Sequence, residues 1–145
     1  MKFRVEAVCV SIKRGVPKKP VEKIELIKDF GIKGDAHAGQ GHRQVSFLAA
    51  EDIERKKEEG LDIKPGNFAE NIVTCGMDWS QVKVGGRIFI GETEMEVTQI
   101  GKEGSTPQEI YDKVGESIML EKGVFAKVIK GGTIHAKSCG HYRIR

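Results

Sequence analysis

The densest run of side chains able to do chemistry is Gly31-Ile32-Lys33-Gly34-Asp35-Ala36-His37-Ala38-Gly39-Gln40-Gly41-His42-Arg43-Gln44, with four glycines, one Asp, two His, one Arg and two Gln in 14 residues. A polar, glycine-rich stretch of this length costs ordering entropy and returns little packing, so such loops are commonly functional. Its glycines let backbone N–H groups approach an anion, and Arg43 adds a planar fork that matches phosphate or carboxylate. Three readings compete. Asp35 can cap the loop with His37 a satisfied structural histidine. Asp35, His37 and His42 have the ligand chemistry of a metal site, although their spacing follows no known ligand pattern. An anion or cofactor-phosphate site is the third, and the chemistry favours it.

Two further segments bring polar groups together. Pro65-Gly66-Asn67-Phe68-Ala69-Glu70-Asn71 puts Asn67, Glu70 and Asn71 into a short bend, where Asx capping of an ordinary turn competes with a binding role. Gly101-Lys102-Glu103-Gly104-Ser105 leads into Thr106-Pro107-Gln108-Glu109, a capping box with Pro at the first helical position. A helix N-terminus beside Lys102 is a natural anion site. The three cysteines, Cys9, Cys75 and Cys139, are widely spaced and form no C-x-x-C pair, which points to reduced thiols. Cys9 reads as core and Cys75 precedes a Gly turn. Cys139 lies in an expected exposed tail beside His141, which would favour its thiolate, against the competing reading of a plain surface thiol.

The elements that must position these groups are mostly strands. Apolar residues alternate from Phe3 to Cys9 and then change parity through Val8, Val10 and Ile12, as on a strand with a bulge or one buried on both faces. Lys13 to Pro20 reads as a basic, solvated loop, and Val21 to Ile27 as a strand. Gly85-Gly86 supplies the positive φ of a hairpin turn, Gly91-Glu92-Thr93 the next turn, and Gly131-Gly132 a last hairpin between Val124–Ile129 and Thr133–Ala136. Ala49 to Glu59 is rich in helix formers, with Glu51–Arg55 and Asp52–Lys56 spaced as ion pairs and Gly60 as its left-handed stop. Many short strands with regular turns predict a mainly β, single-domain, barrel-like fold with a few short helices over residues 1–145.

Composition excludes several classes. At 145 residues and a net charge of +3 (24 Lys and Arg against 21 Asp and Glu), the chain is one ordinary domain and too mildly basic to announce a nucleic-acid binder. The lone Trp79 and two Tyr make no stacking platform for single strands. No apolar run approaches the ~20 residues of a membrane span and no cleavable leader opens the sequence, so a cytoplasmic address is expected.

Taken in order, these segments resemble the MOSC domain, named after the C-terminal domain of molybdenum cofactor sulfurases. The matching pieces are Gly15-Val16-Pro17-Lys18, Gly31 to Gly39, His42-Arg43-Gln44-Val45-Ser46-Phe47-Leu48, Pro65 to Ile72, Val84-Gly85, Ile100-Gly101-Lys102-Glu103, Gly123-Val124-Phe125-Ala126 and Gly131-Gly132. The likeness covers nearly the whole chain and is greatest to small, free-standing bacterial members. It implies a barrel of the pyruvate kinase β-barrel type and a role around the molybdenum cofactor (molybdopterin), in its maturation or in sulfur transfer. Pyridoxal phosphate would be met only through a partner cysteine desulfurase; a molybdoenzyme is the other partner implied. Carried over by position, Gly34, Asp35, His37, Arg43, Gln44, Asn67, Glu70, Asn71 and Lys102 would line one pocket for the cofactor. The family's cysteine follows the Gly-Lys-Glu stretch, where this chain has Gly104 and then Ser105. Without that thiol there is no sulfur nucleophile and no thiolate for molybdenum, unless Cys139 replaces it. Sulfur transfer, a non-catalytic sensing or docking module, and a molybdenum-dependent reductase of N-hydroxylated compounds therefore all stay open.

Overall fold

The computed structural model describes residues 1–14, 16–39, 41–101 and 122–144. Its strands are β1 (Lys2–Val10), β2 (Lys19–Val21), β3 (Lys23–Ile27), β4 (Gly31–Ile32), β5 (Val45–Ala49), β6 (Ile72–Cys75), β7 (Arg87–Ile90), β8 (Thr93–Ile100), β9 (Val124–Lys130), β10 (Gly132–His135) and β11 (Cys139–Arg143). The main sheet runs β11-β7-β8-β9-β5-β6-β1, and β11 pairs back onto β1, so these strands close into a barrel with β2 appended at β1. Closure removes the free edges that an open sheet would present. A small sheet, β10-β3-β4, sends Ile24, Leu26, Ile32 and Ile134 into the same core.

The barrel interior is filled by inward residues of alternating strands, among them Val5, Val8, Val45, Phe47, Ile72, Ile88, Met95, Val97 and Val128. Burying each such side chain contributes on the order of 1.5–3 kcal/mol. Strand β5 is buried on both faces because a second apolar cluster forms outside the wall: Leu48, Val73 and Phe125 pack against Ile53, Ile63 and Phe68. Ile53 belongs to the α-helix α1 (Ala50–Glu58), which stops at Gly60 with φ +95°. The bulge expected in β1 falls between Val5 and Ala7.

Several local expectations are corrected. Val21 to Ile27 is not one strand: the chain breaks at Glu22, so that β2 pairs with β1 and β3 with β10. Gly131-Gly132 does not close a hairpin, because β10 turns away from β9 to pair with β3; a side chain at Gly131 would lie 2.5 Å from the carbonyl oxygen of Leu26. Gly85-Gly86 leads into β7 against β8 and is not itself a hairpin tip; that tip is at Gly91-Glu92. On α1 the pairs form at i,i+3, Asp52 with Arg55 and Glu54 with Lys57, while Glu51 accepts from the backbone N–H of Gly76. The helix expected after Thr106 lies outside the described residues.

Candidate functional site

The first loop is not simply solvated, since Lys18 is only 2% exposed. Its Nζ donates to Asp35 Oδ1 at 2.8 Å and to Ser11 Oγ at 3.3 Å. Asp35 also accepts from the backbone N–H of Ser11 (3.1 Å) and of His37 (3.0 Å). Burial alone would raise this carboxyl, but the hydrogen bonds from His37 and Lys18 and the charge of Lys18 outweigh it and hold Asp35 below the usual carboxylate range.

The Pro65–Asn71 bend is fastened to the same region. Gly66 has φ +93°, and a Cβ there would come 2.1 Å from the carbonyl oxygen of Lys18. Glu70, fully buried, accepts from the backbone N–H groups of Gly66 (2.9 Å) and Phe68 (3.1 Å), clasping its own loop. Burial pushes its carboxyl up to about 7 against those bonds. Asn71 donates from Nδ2 to the carbonyl of Cys9 (3.1 Å) and accepts from the N–H of Ser46 (3.0 Å). Gln44 reaches across to β9, where its Oε1 accepts from the N–H of Val128 at 3.0 Å.

Asp35, Glu70 and Asn71 thus meet around the C-terminal end of β1, with Gln44 bracing the adjoining wall. Each is nine-tenths or more buried and bonded to the chain itself. Gly34, at φ +82°, faces open space, and Asn67 caps an exposed turn through the N–H of Lys64. His37 is partly exposed.

Arg43 is different. It lies on the outer wall, its guanidinium 5.7 Å from the centroid of the Phe125 ring, with Nε donating to Gln99 Oε1 at 2.9 Å. His42 Nε2 stands 2.9 Å from the same oxygen, and Gln99 Nε2 donates to the carbonyl of Gly101 at 2.8 Å. Arg43 is thereby tied to the residue preceding Lys102; Lys102 and Gly104 themselves lie outside the described residues. A cavity of about 330 Å³ begins at the neighbouring Ile100, with Met77, Trp79, Arg55 and Lys122 among its lining. No group of three or more His, Cys, Asp or Glu side chains among the described residues is placed to hold a metal ion.

Cys139 is set apart. It pairs with Arg4, six residues along β1 from Val10, roughly 20 Å from the loop cluster at ~3.3 Å per residue. Residue types alone did not point to Lys18, Ser46 or Gln99. Gln99 sits at the end of an alternating strand run, Ser46 in an apolar one, and Lys18 beside a second lysine. Only contacts across the fold distinguish them.

A closed β-barrel whose connecting loops gather polar groups around one region of the wall defines the class of architecture. A MOSC domain profile matches residues 34–137, and the chain belongs to that family, which is associated with the molybdenum cofactor. The fold is similar to that of the YuaD protein from Bacillus subtilis (TM-score 0.83, 17% identity, covering 100% of this chain and 97% of that one). It is also similar to YiiM from Escherichia coli (TM-score 0.70, 20% identity, 100% and 71%) and to YiiM from Geobacillus stearothermophilus (TM-score 0.70, 15% identity, 99% and 75%). No curated protein matches the sequence. No helix among the described residues is long and apolar enough to cross a membrane.

Proposed function

We propose that this domain binds the molybdenum cofactor, or its pterin precursor, by the phosphate end and holds or delivers it without carrying sulfur on a thiol of its own. The observation that carries this reading is the state of Arg43. Its Nε is engaged by Gln99 and its Cζ lies over the Phe125 ring, while Nη1 and Nη2 have no hydrogen-bond partner among the described residues. A guanidinium held this way offers two parallel N–H groups to a phosphate. The cavity beside Ile100, with Trp79 in its wall, gives the ring system an aromatic neighbour.

The donor set suits the phosphate and not the metal. The molybdenum centre, when bound, would supply redox chemistry, and the family's thiolate would be its protein ligand. Here that position is Gly104, and the chain's three cysteines are placed elsewhere. Cys9 is fully buried, Cys75 donates to Glu6, and none of the three lines the cavity beside Ile100. This favours binding or delivery over sulfur transfer and over a reductase.

The test is a fluorescence titration with molybdopterin, read through Trp79, the only tryptophan. Arg43→Ala is expected to weaken binding tenfold or more, the loss of a charge-assisted pair being worth roughly 1.5–3 kcal/mol. Equal affinity of parent and variant would remove Arg43 from the site. Mass spectrometry after incubation with a cysteine desulfurase and cysteine is expected to show no persulfide; an adduct on any cysteine would restore the carrier reading.

A further inference from the structure

We infer that Gln99 is a positioning residue for the phosphate site: its amide oxygen fixes the guanidinium of Arg43 so that the Nη edge, and not the Nε edge, meets the anion. This rests on the reading of Arg43 given above and goes beyond it by naming the group that sets the fork.

A guanidinium has two bidentate edges, one through Nε and one Nη, the other through both Nη atoms. Gln99 Oε1 occupies Nε at 2.9 Å, which leaves the second edge. The amide is itself fixed. Its Nε2 donates to Gly101, His42 shares its oxygen, and the backbone around it is bulged between Val97 and Gln99. Thr98, within the bulge, donates to the carbonyl of His42, pinning the residue next to Arg43 onto β8. With its Cζ over the Phe125 ring, the side chain is held by one hydrogen bond and one ring face, so less rotamer freedom is lost when an anion binds.

The chemistry of an amide matters as much as its place. A carboxylate at position 99 would accept the same hydrogen bond but cancel the guanidinium charge. A neutral oxygen orients Arg43 and leaves its charge for the ligand. Among the described residues no ion pair forms at Arg43, in contrast to Arg87 on β7, which is paired with Glu94 and Glu96 of the adjacent β8.

The experiment is an NMR titration of the ¹⁵N-labelled full chain with inorganic phosphate, comparing the parent with Gln99→Met, Gln99→Glu, Arg43→Ala and the Arg43→Ala/Gln99→Met double variant. The spectra report folding in the same samples. Gln99→Met is expected to weaken phosphate about tenfold, and Gln99→Glu at least as much despite keeping an acceptor. In the Arg43→Ala background, Gln99→Met is expected to change affinity by less than twofold, since Gln99 acts through Arg43; a merely structural loss would add to the Arg43 effect. Parent-like affinity in folded Gln99→Met, or additive losses in the double variant, would overturn the assignment while leaving Arg43 in the site. Should Gln99→Met not fold, parent-like affinity in Gln99→Glu would overturn it. An Arg43→Ala variant that binds phosphate as the parent does would instead overturn the phosphate site itself.

Discussion

Lys18 Nζ and Asp35 Oδ1 are 2.8 Å apart, and neither side chain is exposed to solvent. This ion pair joins the basic first loop to the glycine-rich loop and is the main fastening between them, together with the Ala36 N–H to Ser11 carbonyl bond. Breaking such a pair from one side leaves an uncompensated buried charge. Lys18→Met is therefore expected to destabilise the domain by about 3–5 kcal/mol, and Lys18→Met/Asp35→Asn by less, because the amide carries no charge. Urea unfolding of the three proteins measures this. A loss below about 1 kcal/mol in Lys18→Met, the range of an exposed pair, would mean that water reaches the carboxylate.

Gly66 supports the same junction from the other side. Its φ of +93° and the 2.1 Å approach of the Lys18 carbonyl leave no room for a methyl group. Gly66→Ala combines backbone strain with a clash against backbone, and its expected cost is about 2–4 kcal/mol. Gly34→Ala makes the contrast: it carries positive φ (+82°) into open space, so only the strain remains, at about 1 kcal/mol. Thermal unfolding should rank the two in that order; equal losses would argue that Gly66 matters for its φ alone.

How much of this was legible before the structure depends on the kind of interaction. Alternation placed β1 with its bulge, and helix-forming composition placed α1 within a residue at each end, because both signals are local. Lys18 looked like one more exposed lysine, since the carboxylate that buries it is 17 residues away. Capping was one reading of Asp35 and of the Glu70–Asn71 bend, but the distant groups they brace were not legible: their hydrogen bonds go to backbone N–H and C=O groups of Ser11, Gly66 and Cys9, which no side-chain pattern encodes. Gly131-Gly132 read as a hairpin because the dipeptide permits one, whereas the partner of β10 was decided by β3.

The two buried carboxyls move stability in opposite directions with pH. Asp35 has its folded pKa depressed, so its contribution is present above its unfolded value of ~3.9 and is lost as the pH falls below it. Glu70 is raised to about 7, so the folded state keeps a proton that the unfolded chain releases above ~4.3. Its contribution is full below that pH and declines until about pH 7. Urea midpoints from pH 3 to 8 are expected to show both limbs, with Asp35→Asn flattening the acid one and Glu70→Gln the slope between about 4.3 and 7. If Glu70→Gln kept the parent's slope there, the proton would have to sit on another group.

The thiols give the sharpest check on where the ligand does and does not bind. Cys9 is fully buried, and burial, with Glu70 nearby, pushes its thiol up to about 12, so it is both inaccessible and protonated. Cys75 is raised by burial and by the hydrogen bond and charge of Glu6, which disfavour its thiolate. Cys139 is exposed on β11. A thiol reagent at pH 8 should therefore label Cys139 first, Cys75 more slowly and Cys9 only on unfolding, as peptide mapping by mass spectrometry would read. Because Cys139 is not among the residues lining the cavity beside Ile100, its alkylation should leave phosphate and molybdopterin affinity within twofold of the untreated protein. A tenfold loss on alkylating Cys139 alone would bring that thiol to the ligand and reopen sulfur transfer as the domain's work.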